Sequence, residues 1–468
     1  MRILIYKRNS LINSSGGAEK VMCSMASHFA ETGNDVLFLT RDMRPGMPFY
    51  PLDERVKLER HDRKYNKLLH LCGKILKAAS MIGAFPFCDR DLFVAKNNRK
   101  IIDGFKPDVI IATSPADAVE LLYKQTGLPP VIVTLHSFPL YFFKNKKKAA
   151  LYKRILKQVS AVQVLQPSFV QELKPYYDGK IEVIGNIVTP AGGEIKTERL
   201  QRIIYLSRVE PDKQQSALTE AFCKIARDFP DWTVDFFGDI THPEYMRKCL
   251  QTAEQCGVED QIRFHGITKD VQSELQKASL CVFPSKYEGF SLGLTEALAA
   301  GLPAVGFSHA PGVKDLIIDG ESGFLVSDID EMAQKMVLLM NADILRERMG
   351  QNAAKSMLPY APETIWSKWD SLVEKTVNAD SLLSSRPQNK GGGMTRFNHF
   401  DERDVPSMSR AESLKGGKMF RHSFKKIPFT GLTDKTACLF LKYGRRNTFK
   451  NIPVPPPRTY RLTEASDA

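Results

Sequence analysis

Short apolar runs alternate with helical patterns along most of the chain. The runs of the front half are Ile3–Tyr6, Val36–Leu39, Val109–Ala112, Val131–Leu135, Val162–Leu165 and Ile181–Ile184. After a polar, turn-rich loop at Thr189–Thr197, the runs continue with Ile203–Leu206, Val234–Phe237, Ile262–Phe264, Leu280–Phe283, Ala304–Phe307 and Phe324–Val326. Buried strands separated by helices are typical of βαβ units on a parallel sheet. The pattern therefore predicts an α/β protein with two similar parallel-sheet domains.

The character of the chain changes towards its C-terminal part. A helical stretch after Ala361 carries Trp366, Trp369 and Leu372 at a spacing of three, and this apolar stripe should pack on a neighbouring domain. From Ser381 onward, polar, basic, Gly and Pro residues dominate. We predict four segments: an N-terminal acceptor-side domain (1–190), a second domain (197–355), a C-terminal helix that packs back on the first domain (356–380), and a basic, flexible extension (381–468).

Composition and charge limit the class of protein and its cellular location. With 468 residues and 43% hydrophobic content, the chain can form two or three cores, which excludes a disordered or fibrous protein. The net charge is +13, but residues 381–468 hold 17 Lys and Arg against 7 Asp and Glu, so the basicity belongs to the extension. Eight cysteines occur singly, and no apolar run reaches the length of a signal peptide or membrane span. We therefore expect a cytoplasmic protein.

The segment from residue 283 to 303 is the most informative for function. Its pattern is a strand, a loop with Glu288, a helix that begins near Ser291, and a stop at a glycine and a proline. The loop places Glu288 at the carboxyl edge of the sheet, and the helix directs free backbone N–H groups there, where a diphosphate would fit. Glu296, early in the helix, could accept hydrogen bonds from both hydroxyls of a ribose. Alternatively, both glutamates only complement the positive end of the helix dipole.

Two cations favour the nucleotide interpretation. Arg208 and Lys213 follow the strand at Ile203–Leu206, so they should also lie at the carboxyl edge of the second sheet. Cations and a helix N-terminus at one edge would converge on a single pair of phosphates.

These motifs resemble those of the family-four retaining glycosyltransferases of GT-B fold. Glu288 and Glu296 match the family's E-x7-E motif, and Arg208 and Lys213 match its R-x4-K phosphate pair. The resemblance implies an α/β fold in which two Rossmann-like, doubly wound parallel-sheet domains face a cleft. It further implies that Glu288 lies beside the donor sugar, that Glu296 holds the ribose, and that the basic pair neutralises the diphosphate.

The resemblance extends to further candidate residues in both domains. Phe264-His265-Gly266 matches the family's base-binding F-x-G loop, and the first domain contains a G-G-A-E loop beginning at Gly16. His136, at the end of a strand, resembles the family histidine that touches the donor sugar, although a capping or half-buried histidine is an equally open interpretation. The candidates for donor binding besides Glu296 are Gly16, Gly17, Gly266, Ile267, Gly289, Phe290 and Ser291, and those for catalysis are Glu288, His136, Arg208 and Lys213.

The resemblance implies that the chain needs no cofactor and no essential metal. The nucleotide-sugar is a substrate, and positive charge at the leaving phosphate would come from the protein. Two D-x-D sequences are present, at 89–91 and 328–330, but Asp328 precedes a helical pattern and is more simply an N-cap followed by an acid in the first turn.

The resemblance implies two partners: a nucleotide-sugar donor, and a glycan or lipid-linked acceptor of surface-polysaccharide biosynthesis. A UDP-linked hexose or N-acetylhexosamine is the favoured donor because the sequence at 307–313 resembles a variant found in bacterial surface-polysaccharide enzymes. Two basic stretches with apolar residues, at 63–87 and 141–148, suit an anionic membrane surface at the inner face. An ordinary amphipathic helix and a solvated charge run explain them equally well.

Two other functions stay open at this point. One is a sugar phosphorylase or sucrose-type synthase of the same fold that acts on a soluble acceptor. The other is a non-catalytic scaffold that works through the basic extension. Nucleic acid is not expected as a partner, because that role would leave Glu288, Glu296, Arg208 and Lys213 without an explanation.

Overall fold

The computed structural model describes residues 1–61, 90–189 and 199–384, and two parallel β-sheets dominate this part of the chain. The first sheet has the strand order β3-β2-β1-β4-β5-β6-β7. Its strands are β1 (Arg2–Lys7), β2 (Asp35–Thr40), β3 (Lys57–Arg60), β4 (Val109–Ala112), β5 (Val131–Leu135), β6 (Ala161–Val164) and β7 (Ile181–Val183). Its helices are α1 (Gly17–Glu31), α2 (Arg90–Phe105), α3 (Pro115–Leu122), α4 (Pro139–Phe143), α5 (Lys146–Leu156) and α6 (Ser168–Leu173).

The second sheet repeats this plan with the strand order β10-β9-β8-β11-β12-β13. Its strands are β8 (Arg202–Leu206), β9 (Thr233–Phe237), β10 (Ile262–Gly266), β11 (Leu280–Phe283), β12 (Ala304–Phe307) and β13 (Gly323–Val326). The helices that follow β8 in the chain are α7 (Gln215–Cys223), α8 (Pro243–Cys256), α9 (Val271–Lys277), α10 (Leu292–Ala299), α11 (Ile329–Asn341), α12 (Asp343–Ser356) and α13 (Pro362–Ser384), with short 3₁₀ turns at Pro211–Lys213, Ala226–Asp228 and Leu358–Tyr360.

The α/β prediction is confirmed, and one strand was missed. β3 has the sequence Lys57-Leu58-Glu59-Arg60, with a single apolar residue among four. It lies at the edge of the first sheet and pairs with β2 alone, so it has no need of two buried faces. Hydrophobic patterning cannot detect such a strand.

Each sheet has one point at which the strand order reverses, and these points locate the crevices. In the first sheet the reversal lies between β1 and β4, and in the second it lies between β8 and β11. In open α/β sheets, ligands bind outside the carboxyl ends of the strands at such switch points. The loops after β8 and β11 therefore carry the second sheet's candidate residues into one crevice.

The last helix returns to the first sheet. Trp369, Leu372 and Val373 of α13 are buried in the same hydrophobic cluster as Ile3 and Phe29. Next to this cluster, the ring of Trp366 stacks on that of His28, with 4.3 Å between centroids. α13 begins directly after Ala361, as the helical pattern predicts, although the predicted segment starts at 356. It continues into the predicted extension, whose remaining residues, 385–468, lie outside the described part of the chain.

The chain crosses between the sheets in two adjacent segments. Val188 N donates a hydrogen bond to the carbonyl of Tyr360 at 2.9 Å, which ties the first crossing to the second. A Cβ at Gly185 would lie 2.7 Å from the Tyr360 ring and 3.0 Å from that of Phe290, so glycine is needed where these segments touch. The predicted limits of the first two domains fall near residues 190–198, which lie outside the described ranges.

Candidate functional site

The centre of the candidate site is Glu288, in the loop after β11. Its Oε1 accepts hydrogen bonds from Lys213 Nζ and from Ser285 Oγ, each at 2.7 Å. The Lys213 and Glu288 side chains are only 15% and 11% exposed, so water screens their attraction weakly. The structure thus brings together the first glutamate and the lysine of the two sequence motifs.

A buried tyrosine supports the loops that carry this ion pair. Tyr205 OH lies within hydrogen-bond distance of two acceptors, the carbonyl of Lys213 at 2.8 Å and Ser285 Oγ at 2.7 Å. Burial, and then the nearby charge of Glu288, raise the pKa of Tyr205 well above its usual value, so the phenol stays protonated. Tyr205 therefore ties the loop after β8 to the loop after β11.

Arg208 takes a different position from Lys213. Its guanidinium pairs with Glu210 at 3.0 Å, and its side chain is 57% exposed. Arg208, the other cation of the motif, therefore lies at the rim of the crevice, where guanidinium N–H donors face solvent.

Glu296 forms a contact with the first domain. Its Oε1 accepts a hydrogen bond from Lys20 Nζ at 2.8 Å, and Lys20 belongs to α1. Nearby, a Cβ at Gly17 would lie 3.1 Å from Leu292 Cδ1. The N-terminal ends of α1 and α10 consequently face one another across the crevice. Lys20 is a single lysine after G-G-A-E, and this pattern gives no signal of its contact with the second domain.

Gly289 lies where the backbones of the two domains meet. A Cβ at this position would lie 2.7 Å from the carbonyl oxygen of His136 and 2.9 Å from Ser137 Cα. On the other side of the loop, Gly312 has a φ of +79°, and Glu288 N donates to the carbonyl of Pro311 at 2.8 Å. Glycine thus permits a close fit on both sides of Glu288.

The side chains of Phe290 and Ser291 have structural roles. The Phe290 ring is 5% exposed and packs edge-on against Tyr360, with 4.9 Å between centroids. Ser291 Oγ accepts a hydrogen bond from Leu294 N at 3.4 Å and so caps α10. Any contact from these two residues to a ligand is therefore left to their backbone groups.

His136 lies in the first domain, directly after β5. Both ring nitrogens are buried and have no hydrogen-bond partner among the described residues. Burial, and then the positive charge of Lys7, lower the pKa of His136 to about 3, so the ring is neutral near pH 7. Buried polar groups normally find partners, so a ligand that supplies one is a physical explanation for this exception.

The glycine-rich loop before α1 is held by a second ion pair. Lys7 Nζ lies 3.1 Å from Glu19 Oε1, and both side chains are largely buried. The other carboxylate oxygen of Glu19 would lie 2.1 Å from a Cβ at Gly16. Glu19 therefore takes up the space that a side chain at Gly16 would need.

The predicted base-binding loop follows β10 on a rigid support. Gly266 has a φ of +71°, and Ile267 is 59% exposed. The preceding His265 stacks on Phe237 at 4.4 Å between centroids and hydrogen-bonds to the carboxylate of Asp235. The carbonyl of Gly266 accepts a hydrogen bond from Gly238 N at 2.8 Å, and the exposed residue of this loop is Ile267.

The basic stretch at 141–148 is less apolar on its surface than its sequence indicates. Phe143 is buried and stacks on Tyr176, with 4.0 Å between centroids, and Phe142 is half-buried. Tyr141 is 51% exposed and lies 6.1 Å from the ring of Tyr287 in the second domain. The other stretch, 63–87, lies outside the described residues.

The D-x-D sequence at 328–330 has the structural role expected of it. Asp328 Oδ1 accepts a hydrogen bond from Glu331 N at 2.9 Å and caps α11, which confirms the N-cap interpretation. Within the described ranges, no three His, Cys, Asp or Glu side chains are grouped so that they could hold a metal ion. Asp89 lies outside those ranges.

Among the helices of the described residues, none is both long and apolar enough to cross a bilayer.

The ion pair at the centre of the site predicts strong energetic coupling. Lys213→Met leaves the partly buried Glu288 carboxylate without its cation, and we expect a loss of about 3 kcal/mol in stability. Adding Glu288→Gln should recover part of it, with a coupling energy of about 1–3 kcal/mol in a double-mutant cycle measured by urea unfolding. Arg208→Met, which breaks an exposed pair, is the control and should cost about 0.5 kcal/mol or less. Additive effects of the two central substitutions would contradict the arrangement.

The buried His136 predicts a pH dependence. Because its pKa is lower in the folded chain than in the unfolded chain, the unfolded chain binds the proton more readily, and stability falls as the pH drops from about 6.5 towards 3. His136→Gln removes this titration, so the variant should lose less melting temperature than the wild type between pH 7 and pH 5. Parallel melting curves for the two proteins over that interval would show that His136 does not titrate as expected.

Comparison with known proteins agrees with this architecture. Residues 15–191 match the family model described as Glycosyltransferase Family 4, and residues 193–356 match that of Glycosyl transferases group 1. Among solved structures, TarM of S. aureus in complex with fondaparinux, alpha-GlcNAc-glycerol and UDP is similar with a TM-score of 0.64 and 17% identity, over 80% of this chain and 99% of that one.

Related proteins of low sequence identity also match most of this chain. An exopolysaccharide phosphotransferase of Streptomyces coelicolor is 26% identical over 78% of this chain, which spans only 40% of that protein. An alpha-1,4-N-acetyl-D-galactosaminyltransferase of Campylobacter jejuni, named for a diNAcBac-PP-undecaprenol-linked acceptor, is 24% identical over 78% of this chain and 97% of its own length. The two family models together cover every described strand except β1, and the chain belongs to the group 1, family-four glycosyltransferases of GT-B fold.

Proposed function

We propose that the chain transfers a hexose or N-acetylhexosamine from a nucleotide-diphosphate sugar, with uracil as the base, to a glycan or lipid-linked acceptor of surface-polysaccharide biosynthesis. The observation that carries the proposal is the convergence of Glu288, Lys213 and Glu296 on one crevice, opposite His136 of the other domain. One relative named for an undecaprenol-linked acceptor, and one similar structure in complex with UDP, support this choice of donor and acceptor.

The proposed reaction proceeds with retention. The bond between the anomeric carbon and the leaving phosphate oxygen breaks, the acceptor oxygen bonds to the same face, and its proton passes to the leaving phosphate. Lys213 has three N–H donors, so it can hold Glu288 and a phosphate oxygen together. Arg208 and the free amides of α10 would add positive charge where it develops on the phosphate. The neutral His136 would donate to, or accept from, a sugar hydroxyl.

Ligand-induced thermal stabilisation tests the donor site. We expect UDP, and not GDP, ADP, CMP or NAD, to raise the melting temperature, since a ligand at a hundred times its Kd stabilises a protein by about 2.7 kcal/mol. Glu296→Ala should abolish the effect because it removes the carboxylate proposed to hold the ribose. Lys20→Met breaks the same interdomain ion pair but keeps the carboxylate, so it should retain the effect. No response to any nucleotide in the wild type would refute the donor site.

Metal independence is a second expected property. Because the proposed positive charge comes from Lys213, Arg208 and backbone amides, turnover should be undiminished in excess chelator. Sugar transfer is measured before and after chelation, and with added Mg²⁺ or Mn²⁺ as the control. Loss of turnover that either ion restores would show that the reaction needs a metal.

We further propose that the chain acts in the cytoplasm, at the inner face of the membrane. A lipid-linked acceptor would be available there, and a nucleotide-sugar would reach the crevice from solution. This location follows from the proposed acceptor, not from an apolar surface of the described residues.

A further inference from the structure

Four lysines form an exposed patch between α4 and the first turn of α5. This lysine patch consists of Lys144, Lys146, Lys147 and Lys148, all of which are exposed. Within the described ranges, none of the four forms an ion pair with an acidic side chain. Their charges are therefore available to an anion from outside the chain.

The lysine patch lies at the crevice. α5 leads from Lys146 back towards β6, which begins at Ala161, so the first turn of α5 lies at the carboxyl edge of the first sheet. Lys144 Nζ lies 4.8 Å from the ring centroid of Tyr287, and Tyr287 directly precedes Glu288. The patch thus borders the candidate site from the first domain.

The position of these cations is unfavourable for the helix. A helix N-terminus carries a partial positive charge, so cations in the first turn destabilise the helix. α5 begins with three lysines in succession, and Asn145 Oδ1 caps it by accepting from Lys148 N at 3.1 Å. Lysines that repel both one another and the helix dipole would be relieved by a bound anion.

An aromatic surface adjoins the patch. Tyr141 is half exposed, and Lys144 Nζ lies 5.1 Å from its ring centroid. Tyr287 OH donates to Asp212 at 2.8 Å, which fixes the neighbouring ring. Cations beside an exposed aromatic face suit a ligand that has both a phosphate and an apolar ring face.

We propose that the lysine patch binds a phosphate group of the acceptor, and that Tyr141 offers a surface to the acceptor sugar. This proposal rests on the proposed glycosyl transfer and adds the chemical class of the acceptor: a glycan that carries a phosphodiester or diphosphate. The phosphate would lie on the first-domain side of the crevice, apart from the diphosphate of the donor on the second-domain side.

Two soluble probes with the same sugar and alkyl chain test the proposal: octyl N-acetylglucosaminide and octyl N-acetylglucosaminyl phosphate. We expect the full-length wild type to bind the phosphate probe roughly tenfold more tightly at low salt. The triple variant Lys146→Gln, Lys147→Gln, Lys148→Gln should lose this preference. The control is Lys57→Gln, Lys106→Gln, Lys180→Gln, which removes equal charge next to the amino ends of strands, and it should keep the preference.

The outcomes separate the alternatives. The patch variant should melt at or above the wild-type temperature, because it relieves repulsion at the start of α5. Equal affinity of the wild type for both probes, or a preference that survives in the patch variant, would overturn the proposal. Loss of binding to phosphatidylglycerol vesicles with an unchanged probe preference would assign the patch to lipid headgroups and also overturn it. Stabilisation by UDP is the separate readout of the donor site, so its absence would refute that site alone.

Discussion

The direct contact between the backbones of the two domains is the constraint on which the site depends. At Gly289 the loop of the second domain approaches the carbonyl of His136 so closely that no side chain fits between them. This approach brings His136 opposite Glu288, and it sets Lys20 against Glu296. Without it, the two carboxyl edges would present two separate half-sites. A single atom of side-chain bulk would be enough to disturb this contact.

The site combines well-partnered and unpartnered polar groups. Glu288 is held by Lys213 and Ser285, and Tyr205 secures both of their loops. His136 has no such partner, and burial keeps its ring neutral. A rigid arrangement of charges beside a buried group without a protein partner suits a surface that binds a ligand.

The sequence predicted the parts of the fold and site that depend on local pattern. Buried parallel strands are continuous apolar runs, so twelve of the thirteen strands in the described ranges could be recognised, whereas β3, a polar edge strand, could not. The two motifs predicted that Lys213 and Glu288 lie at one sheet edge, but they did not predict the ion pair between them. Tyr205 could not, because its hydroxyl is hidden in an apolar run, and Lys20 could not, because its role depends on the spacing between the domains.

The ring of Tyr360 connects the segments between the domains with the loop that contains Glu288. It touches Phe290, lies over Gly185 in one crossing segment, and belongs to the other. Any change in the angle between the sheets would bend these two segments. Because the Tyr360 ring contacts Phe290, that movement would also reach the loop that contains Glu288. The two crossing segments and the loop that carries Glu288 thus share one side chain, so a substitution at Tyr360 would disturb the packing of all three.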